Sequence, residues 1–159
     1  MKVWRITRQR HATTAFSGEG ARLFAARWNP IGTPMVYTSS SLSLAVVEVF
    51  VHLDAAESPA FVSIAADLPV DEKNLKSEKQ AILRKLPADW RKVDHPSLQK
   101  IGADWIASGR SLVMPVPSAV VDGEWNILIN PAHPDAAKIK LEPPKPFLFD
   151  ARMFKAAKR

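Results

Sequence analysis

The chain has 159 residues, a mass of 17.6 kDa and no cysteine, and its 22 Lys and Arg against 16 Asp and Glu leave a formal net charge of +6. A hydrophobic content of 47% with 24% charged residues excludes a disordered chain, and the length predicts one domain over 1–159 with a single core. Without cysteine there is no disulfide framework, no thiolate nucleophile and no Cys-ligated zinc or iron–sulfur centre.

Trp4-Arg5-Ile6 alternates bulky side chains and predicts a short first strand. The N-terminus turns polar by Arg8, before the apolar stretch of a signal peptide could develop. The longest apolar stretch, Leu44 to Val51, is interrupted by Glu48, far short of the roughly 20 residues of a membrane span. A soluble, cytoplasmic chain without a membrane partner is therefore expected. Thr13 to Ala21, with Ser17, Gly18 and Gly20, reads as a loop, and Arg27-Trp28-Asn29-Pro30-Ile31-Gly32-Thr33-Pro34 is dense in turn formers. Met35-Val36-Tyr37 reads as a strand. Ser39, Ser40 and Ser41 are candidate caps for a helix over Leu42 to Leu53. In that helix Leu42, Ala45, Val46, Val49, Phe50 and Leu53 follow the i, i+3, i+4 spacing, while Leu44, Val47 and Val51 make the other side apolar. A helix buried nearly all round is the expectation.

Phe61 to Ala66 predicts a strand, followed by a polar segment through Lys79 and an uncommitted stretch from Gln80 to Leu86. Pro87-Ala88-Asp89-Trp90 predicts a turn, and Ser97 to Ser108 a helix ended by Gly109. Ser111 to Val116, Ser118 to Val121 and Asn126 to Ile129 read as strands, and Phe147-Leu148-Phe149 as an edge strand behind the extended Pro143-Pro144-Lys145-Pro146. The whole is one α+β domain without repeats or linkers.

A positive surplus favours anionic partners, namely nucleic acid, nucleotides or an acidic protein. The basic residues are scattered, with mild clusters at Arg5, Arg8, Arg10 and at Lys155, Lys158, Arg159, and read first as solvated ends. Glu48 is the one carboxylate inside the apolar helix. It is either a surface charge coupled to His52 four residues on or a functional acid. Arg27, in the turn-rich segment, suits two parallel hydrogen bonds to a phosphate or a simple surface role beside Trp28. Tyr37, the one tyrosine, is a strand aromatic or the wall of a site. Ser118 has no neighbouring His to activate it; it is a turn serine or a donor to an anion. His11, His52, His95 and His133 show no metal-ligand spacing, so no metal is expected.

Taken together these segments resemble the RES domain, the toxin half of bacterial toxin–antitoxin pairs. The resemblance rests on Gly18-Glu19-Gly20-Ala21-Arg22, on Arg27 through Tyr37, on Leu44-Ala45-Val46-Val47-Glu48-Val49 and on His52-Leu53. It continues through Gly102-Ala103-Asp104-Trp105, Val116-Pro117-Ser118-Ala119-Val120-Val121, Asn126 through Pro134 and Phe149-Asp150-Ala151-Arg152. It runs in order over essentially the whole chain. Two departures are Trp4 where the family often has Tyr, and Ala25-Ala26 before Arg27 where Gly-Gly is common.

The resemblance implies a fold like that of ADP-ribosyltransferases, a single compact domain with a split mixed or antiparallel β core and flanking helices. It implies NAD as substrate, with no further cofactor, and a toxin that cleaves the nicotinamide–ribose bond, depletes NAD and arrests growth. The acceptor is water, as in a glycohydrolase, or phosphate, as in a phosphorylase. One alternative is transfer of ADP-ribose to a protein, and another, of a different class, is a non-catalytic basic nucleic-acid-binding module. The implied roles fall on Arg5 and Arg27 at the pyrophosphate, Ser118 as a neutral donor, Tyr37 against nicotinamide and Glu48 at the oxocarbenium-like ribose. The implied partner is a helix-turn-helix antitoxin of the Xre type that blocks the pocket, with DNA engaged only through it.

Overall fold

The structure is a computed structural model that describes residues 1–53 and 60–154; the basic cluster at Lys155, Lys158 and Arg159 lies outside the described residues. Among the described residues seven strands form one sheet: β1 (Lys2–Arg8), β2 (Val36–Ser39), β3 (Phe61–Asp67), β4 (Val113–Pro117), β5 (Trp125–Ile129), β6 (Lys140–Leu141) and β7 (Lys145–Phe147). Their order is β4-β5-β2-β1-β3-β6, with β7 also on β3. The described α-helices that flank the sheet are α1 (Glu19–Leu23), α2 (Leu42–Phe50), α3 (Leu75–Leu83) and α4 (Pro96–Ser108). Every pairing among the described residues is antiparallel, so of the mixed and antiparallel options the second is realised.

The sheet is nevertheless split. β1 and β3 pair without a break from Lys2↔Asp67 to Arg8↔Phe61, and β2 and β5 from Val36↔Ile129 to Ser39↔Asn126. Between these halves β1 and β2 share the one pair Trp4↔Ser39. Past it the Arg5 side chain takes the place of a ladder bond, Nη1 donating to the Tyr37 carbonyl at 2.6 Å.

Alternation along the strands sends side chains to two cores. Ile127 and Ile129 join Val3, Val36, Leu112 and Val113 in one, while Leu128 joins Trp28, Met35, Met114 and Val116 in the other. α4 closes the second core with Leu98 and Trp105, and α3 contributes Ile82. Each such aliphatic side chain contributes about 1.5–3 kcal/mol by leaving water. Gly109 ends α4 with φ 56°, the left-handed conformation expected of it.

Several expectations are corrected. The helix expected over Leu42 to Leu53 ends at Phe50, and only Leu44 and Ala45 are buried in it; Val51 beyond is half exposed. The face of α2 that carries Leu44 and Ala45 turns inward and the cleft opens along it at Ala45, Glu48 and Val49, so its apolar girth does not mean burial. α3 occupies what reads as polar sequence, because two residues one double turn apart, Leu75 and Ile82, suffice to seat it. The expected loop from Thr13 to Ala21 begins in a 3-10 turn, Gln9–Thr14, and runs into α1. Ser118 to Val121 forms no strand, since the Ser118 hydroxyl accepts from the amides of Val120 and Val121 and curls the backbone into a turn. The edge strand is Lys145–Phe147; Phe149 leaves the sheet and meets Phe61 and Phe147 edge-on at 5.2 and 5.0 Å. Among the described residues no helix is long and apolar enough to cross a membrane.

Candidate functional site

The seam between β1 and β2 opens into a cleft of about 830 Å³, within the range of about 300–1,000 Å³ usual for small-molecule sites. Trp4, Arg5 and Ile6 line it from β1, Tyr37, Thr38 and Ser39 from β2, and Ala45, Glu48 and Val49 from α2. The turn before β2 adds Arg27 and Trp28, the loop before α4 adds Arg91, Val93 and Asp94, and β5 adds Asn126. Four of the five residues singled out from the sequence, Arg5, Arg27, Tyr37 and Glu48, thus share one cavity. A smaller apolar crevice of about 270 Å³ near Phe16 and Ile139 carries no ionisable side chain.

Glu48 reaches the cleft because Ser41 starts α2, its hydroxyl accepting from the Leu44 amide at 3.1 Å, and position 48 then falls one turn on from buried Leu44 and Ala45, on the same inward face. Glu48 Oε1 accepts from Ser118 Oγ at 2.7 Å and from Asn126 Nδ2 at 2.5 Å. His52, the expected companion, lies on the cleft wall one turn on.

Arg5, read from the sequence as part of a solvated terminus and from the resemblance as a pyrophosphate ligand, is half-buried on the cleft wall. Its Nε is buried without a hydrogen-bond partner among the described residues, and burial pulls its pKa down to about 10, so it stays cationic at neutral pH. A buried guanidinium N–H without an acceptor is a donor available to a ligand oxygen. Tyr37 presents its ring to the cleft while its hydroxyl is used twice, donating to Asn29 Oδ1 at 2.7 Å and accepting from the Trp28 amide at 3.1 Å. Burial pushes the phenol above its ordinary value, so it acts as a neutral ring and not as a base.

Arg27 does two things. One nitrogen, Nη1, donates to the carbonyls of Trp90 at 3.0 Å and Lys92 at 2.9 Å, strapping the loop that forms the outer wall. The rest of the guanidinium borders the cavity. The same loop is tied internally by Asp89, which accepts from Lys92 Nζ at 2.9 Å and from His95 Nε2 at 3.1 Å; these two donors hold its carboxyl down at about 2. His95 Nδ1 meanwhile accepts from the Ser97 amide at 3.2 Å and caps α4.

Ser118 stands apart from the other four. It is 1% exposed and its hydroxyl is spent on Glu48, so the anion it meets in this structure is the protein's own carboxylate. Two residues escaped the sequence reading. Asn126 holds Glu48, and Asn29, fully buried, donates from Nδ2 to the carbonyls of Ala21 at 2.7 Å and Phe24 at 3.0 Å and fixes the Arg27 turn. The available signal was polarity out of place: an amide opening the apolar run Asn126-Ile127-Leu128-Ile129, and another between Trp28 and Pro30. Among the described residues no group of three or more His, Asp or Glu is placed to hold a metal ion.

Arginines with one carboxylate and one aromatic wall suit an anionic ligand that also develops positive charge at a reacting carbon. The RES domain profile matches residues 2–150. Toxin Res of Photorhabdus laumondii is 35% identical over 161 residues, covering 99% of this chain and all of its own length. The Prs ADP-ribosylating toxin of a Sphingobium species is 36% identical over 157 residues, 97% of each chain. Toxin Res of Pseudomonas putida is 33% identical over 162 residues, 97% of this chain and all of its own. A chain in the crystal structure of the Mycobacterium tuberculosis MbcT–MbcA toxin–antitoxin complex superposes with a TM-score of 0.68 at 20% identity, over 92% of this chain and 83% of that one, and so shares the fold.

Proposed function

The chain belongs to the RES-domain toxin family, and from that premise we propose that its cleft binds NAD and breaks the nicotinamide–ribose bond. The observation that carries this reading is the convergence of Arg5, Arg27, Tyr37 and Glu48, from four separate stretches of chain, on one cavity of about 830 Å³. Arg27 and Arg5 supply cationic donors for the pyrophosphate, and the Tyr37 ring faces the flat nicotinamide. When the C1′–N bond breaks, its electron pair leaves with the nicotinamide nitrogen and cancels the pyridinium charge, so no general acid is required. The ribose is left oxocarbenium-like, and the Glu48 carboxylate stabilises that charge. The acceptor oxygen then adds to C1′: water loses a proton to solvent as it does so, whereas phosphate adds through an oxygen that is already anionic.

A second reading is transfer of ADP-ribose to a protein side chain, favoured by the similarity to a toxin named as ADP-ribosylating. A nucleic-acid-binding module is less favoured because, among the described residues, Lys2, Arg22, Arg91, Lys92, Lys100, Lys138, Lys145 and Arg152 lie in ion pairs. As a member of a toxin family the chain is proposed to pair with an antitoxin, for which a helix-turn-helix protein of the Xre type covering the cleft is the candidate.

The test is Glu48→Gln. Glutamine keeps an acceptor where Oε1 meets Ser118 and Asn126 and replaces only the charge. Nicotinamide release from NAD should fall by about 10²–10³-fold, the scale of removing one transition-state contact, and toxicity should disappear. A fully active variant refutes the assignment. Product identification with and without phosphate, and labelled NAD incubated with a cell lysate, separate the three acceptors.

A further inference from the structure

The hydrogen bonds around Glu48 have forced directions. Ser118 Oγ accepts from the Val120 amide at 3.1 Å and the Val121 amide at 2.9 Å, which occupies both lone pairs, so its one proton goes to Glu48 Oε1. Ser39 Oγ donates to Asn126 Oδ1 at 2.7 Å, so the amide nitrogen of Asn126 is the end turned to Glu48 Oε1. A flipped amide would set oxygen against carboxylate. Oε1 thus accepts two hydrogen bonds, and among the described residues none reaches Oε2.

We infer that Asn126 is a positioning residue: with Ser118 it pins Oε1 so that Oε2 is presented to the ribose carbon, and Ser39 sets the orientation of the Asn126 amide. The inference rests on the cleft being the NAD-cleaving site. Its physical basis is the cost of placing a glutamate, whose side-chain torsions are otherwise free, against a cation that exists only in the transition state. Two donors converging on one oxygen fix the torsions before substrate arrives. Ser39 and Asn126 are also partners in the β2–β5 ladder, so the clamp is built on rigid sheet and not on loop.

The experiment uses the purified chain with NAD and follows nicotinamide release. Asn126→Ala should lower kcat by about 10–100-fold, the scale of removing a partner that orients a functional ligand, with KM and melting temperature unchanged. Asn126→Asp sets a second carboxyl against Glu48, and the pair holds its geometry only when sharing a proton. Its kcat should therefore recover as pH falls, on a profile displaced to the acid side of the wild type. Ser39→Ala should lose kcat in the same direction by less, and it decides the matter if Asn126→Ala does not fold. Wild-type kcat in Asn126→Ala, a loss confined to KM, or an undisplaced profile for Asn126→Asp overturns the inference. A wild-type chain that releases no nicotinamide overturns the reading of the cleft along with it, so the two failures are distinguishable.

Discussion

Gly102→Ala sets two opposite effects against each other in the middle of α4. By helix propensity alone alanine gains about 1 kcal/mol over glycine. The added Cβ would lie 1.8 Å from the Trp28 carbonyl oxygen, 2.9 Å from its carbonyl carbon and 3.1 Å from Met35 Cε. The oxygen belongs to backbone, and that backbone is pinned: the Trp28 ring is 2% exposed and its amide donates to the Tyr37 hydroxyl. α4 or the Arg27 turn must therefore shift until the contact exceeds 3.0 Å. Overpacking costs about 1–3 kcal/mol, and a backbone clash belongs at the upper end, leaving a net loss of about 2 kcal/mol. For a domain of this length that is a fall in melting temperature of about 4–8 °C. Because the displaced segment carries Arg27 and the contact to Tyr37, KM for NAD should rise as well. Thermal unfolding followed by circular dichroism measures the first effect, and nicotinamide release the second. Gly20→Ala in α1, where nothing lies within 4 Å of the new methyl, is the control and should melt at or above the wild type. A Gly102→Ala chain that also melts at or above the wild type would refute the close approach of α4 to the turn.

Arg27→Ala removes the strap on the carbonyls of Trp90 and Lys92 together with one cation of the cleft. Charged hydrogen bonds contribute about 1.5–3 kcal/mol, so KM for NAD should rise about tenfold or more while limited proteolysis finds new cuts between Asp89 and His95; an unchanged KM with an intact loop counts against both roles. Asp89 is held at about 2 against an ordinary 3.8, so its contribution to folding is complete above pH 3.8 and is lost as pH falls through about 2. Asp89→Asn should melt below the wild type near neutral pH, with the gap closing in acid; a gap that stays constant down to pH 2 would show that the pairing contributes nothing.

How much of this was legible depended on whether the partner of each residue was local. α2 was visible because its cap at Ser41 and its apolar spacing lie within one stretch, and Glu48 stood out as the lone charge in it. Its degree of burial was not, since one apolar side faces a cavity that only tertiary structure creates. α3 was hidden because its seat needs only Leu75 and Ile82 amid polar residues. Val120 and Val121 read as strand from their β-branched side chains, and the hydroxyl of Ser118 overrode that preference. Arg27, Tyr37 and Ser118 gained meaning from the family pattern, but the pattern does not say that the Ser118 proton points at a carboxylate 70 residues away, or that Arg27 also holds a loop.

The cleft and the break in the sheet have one cause. Had β1 and β2 gone on pairing beyond Trp4↔Ser39, they would lie about 4.8 Å apart and a β1 amide would have taken the Tyr37 carbonyl. The Arg5 guanidinium takes it instead, and the two strands become the two lips of the cavity. That solution leaves a half-buried positive charge which, among the described residues, forms no ion pair and has its buried Nε unsatisfied. Burial already lowers its pKa to about 10, the signature of a charge that would be better compensated. An anion bound at the seam would supply the missing compensation, which is the role the proposed function gives to the pyrophosphate. Opposite, the carboxylate of Glu48 is fastened to β5 through Asn126, on the other half of the same sheet. Of the charges that the proposed reaction uses, Arg5 and Glu48 are thereby held by the two halves of the sheet, on either side of the seam.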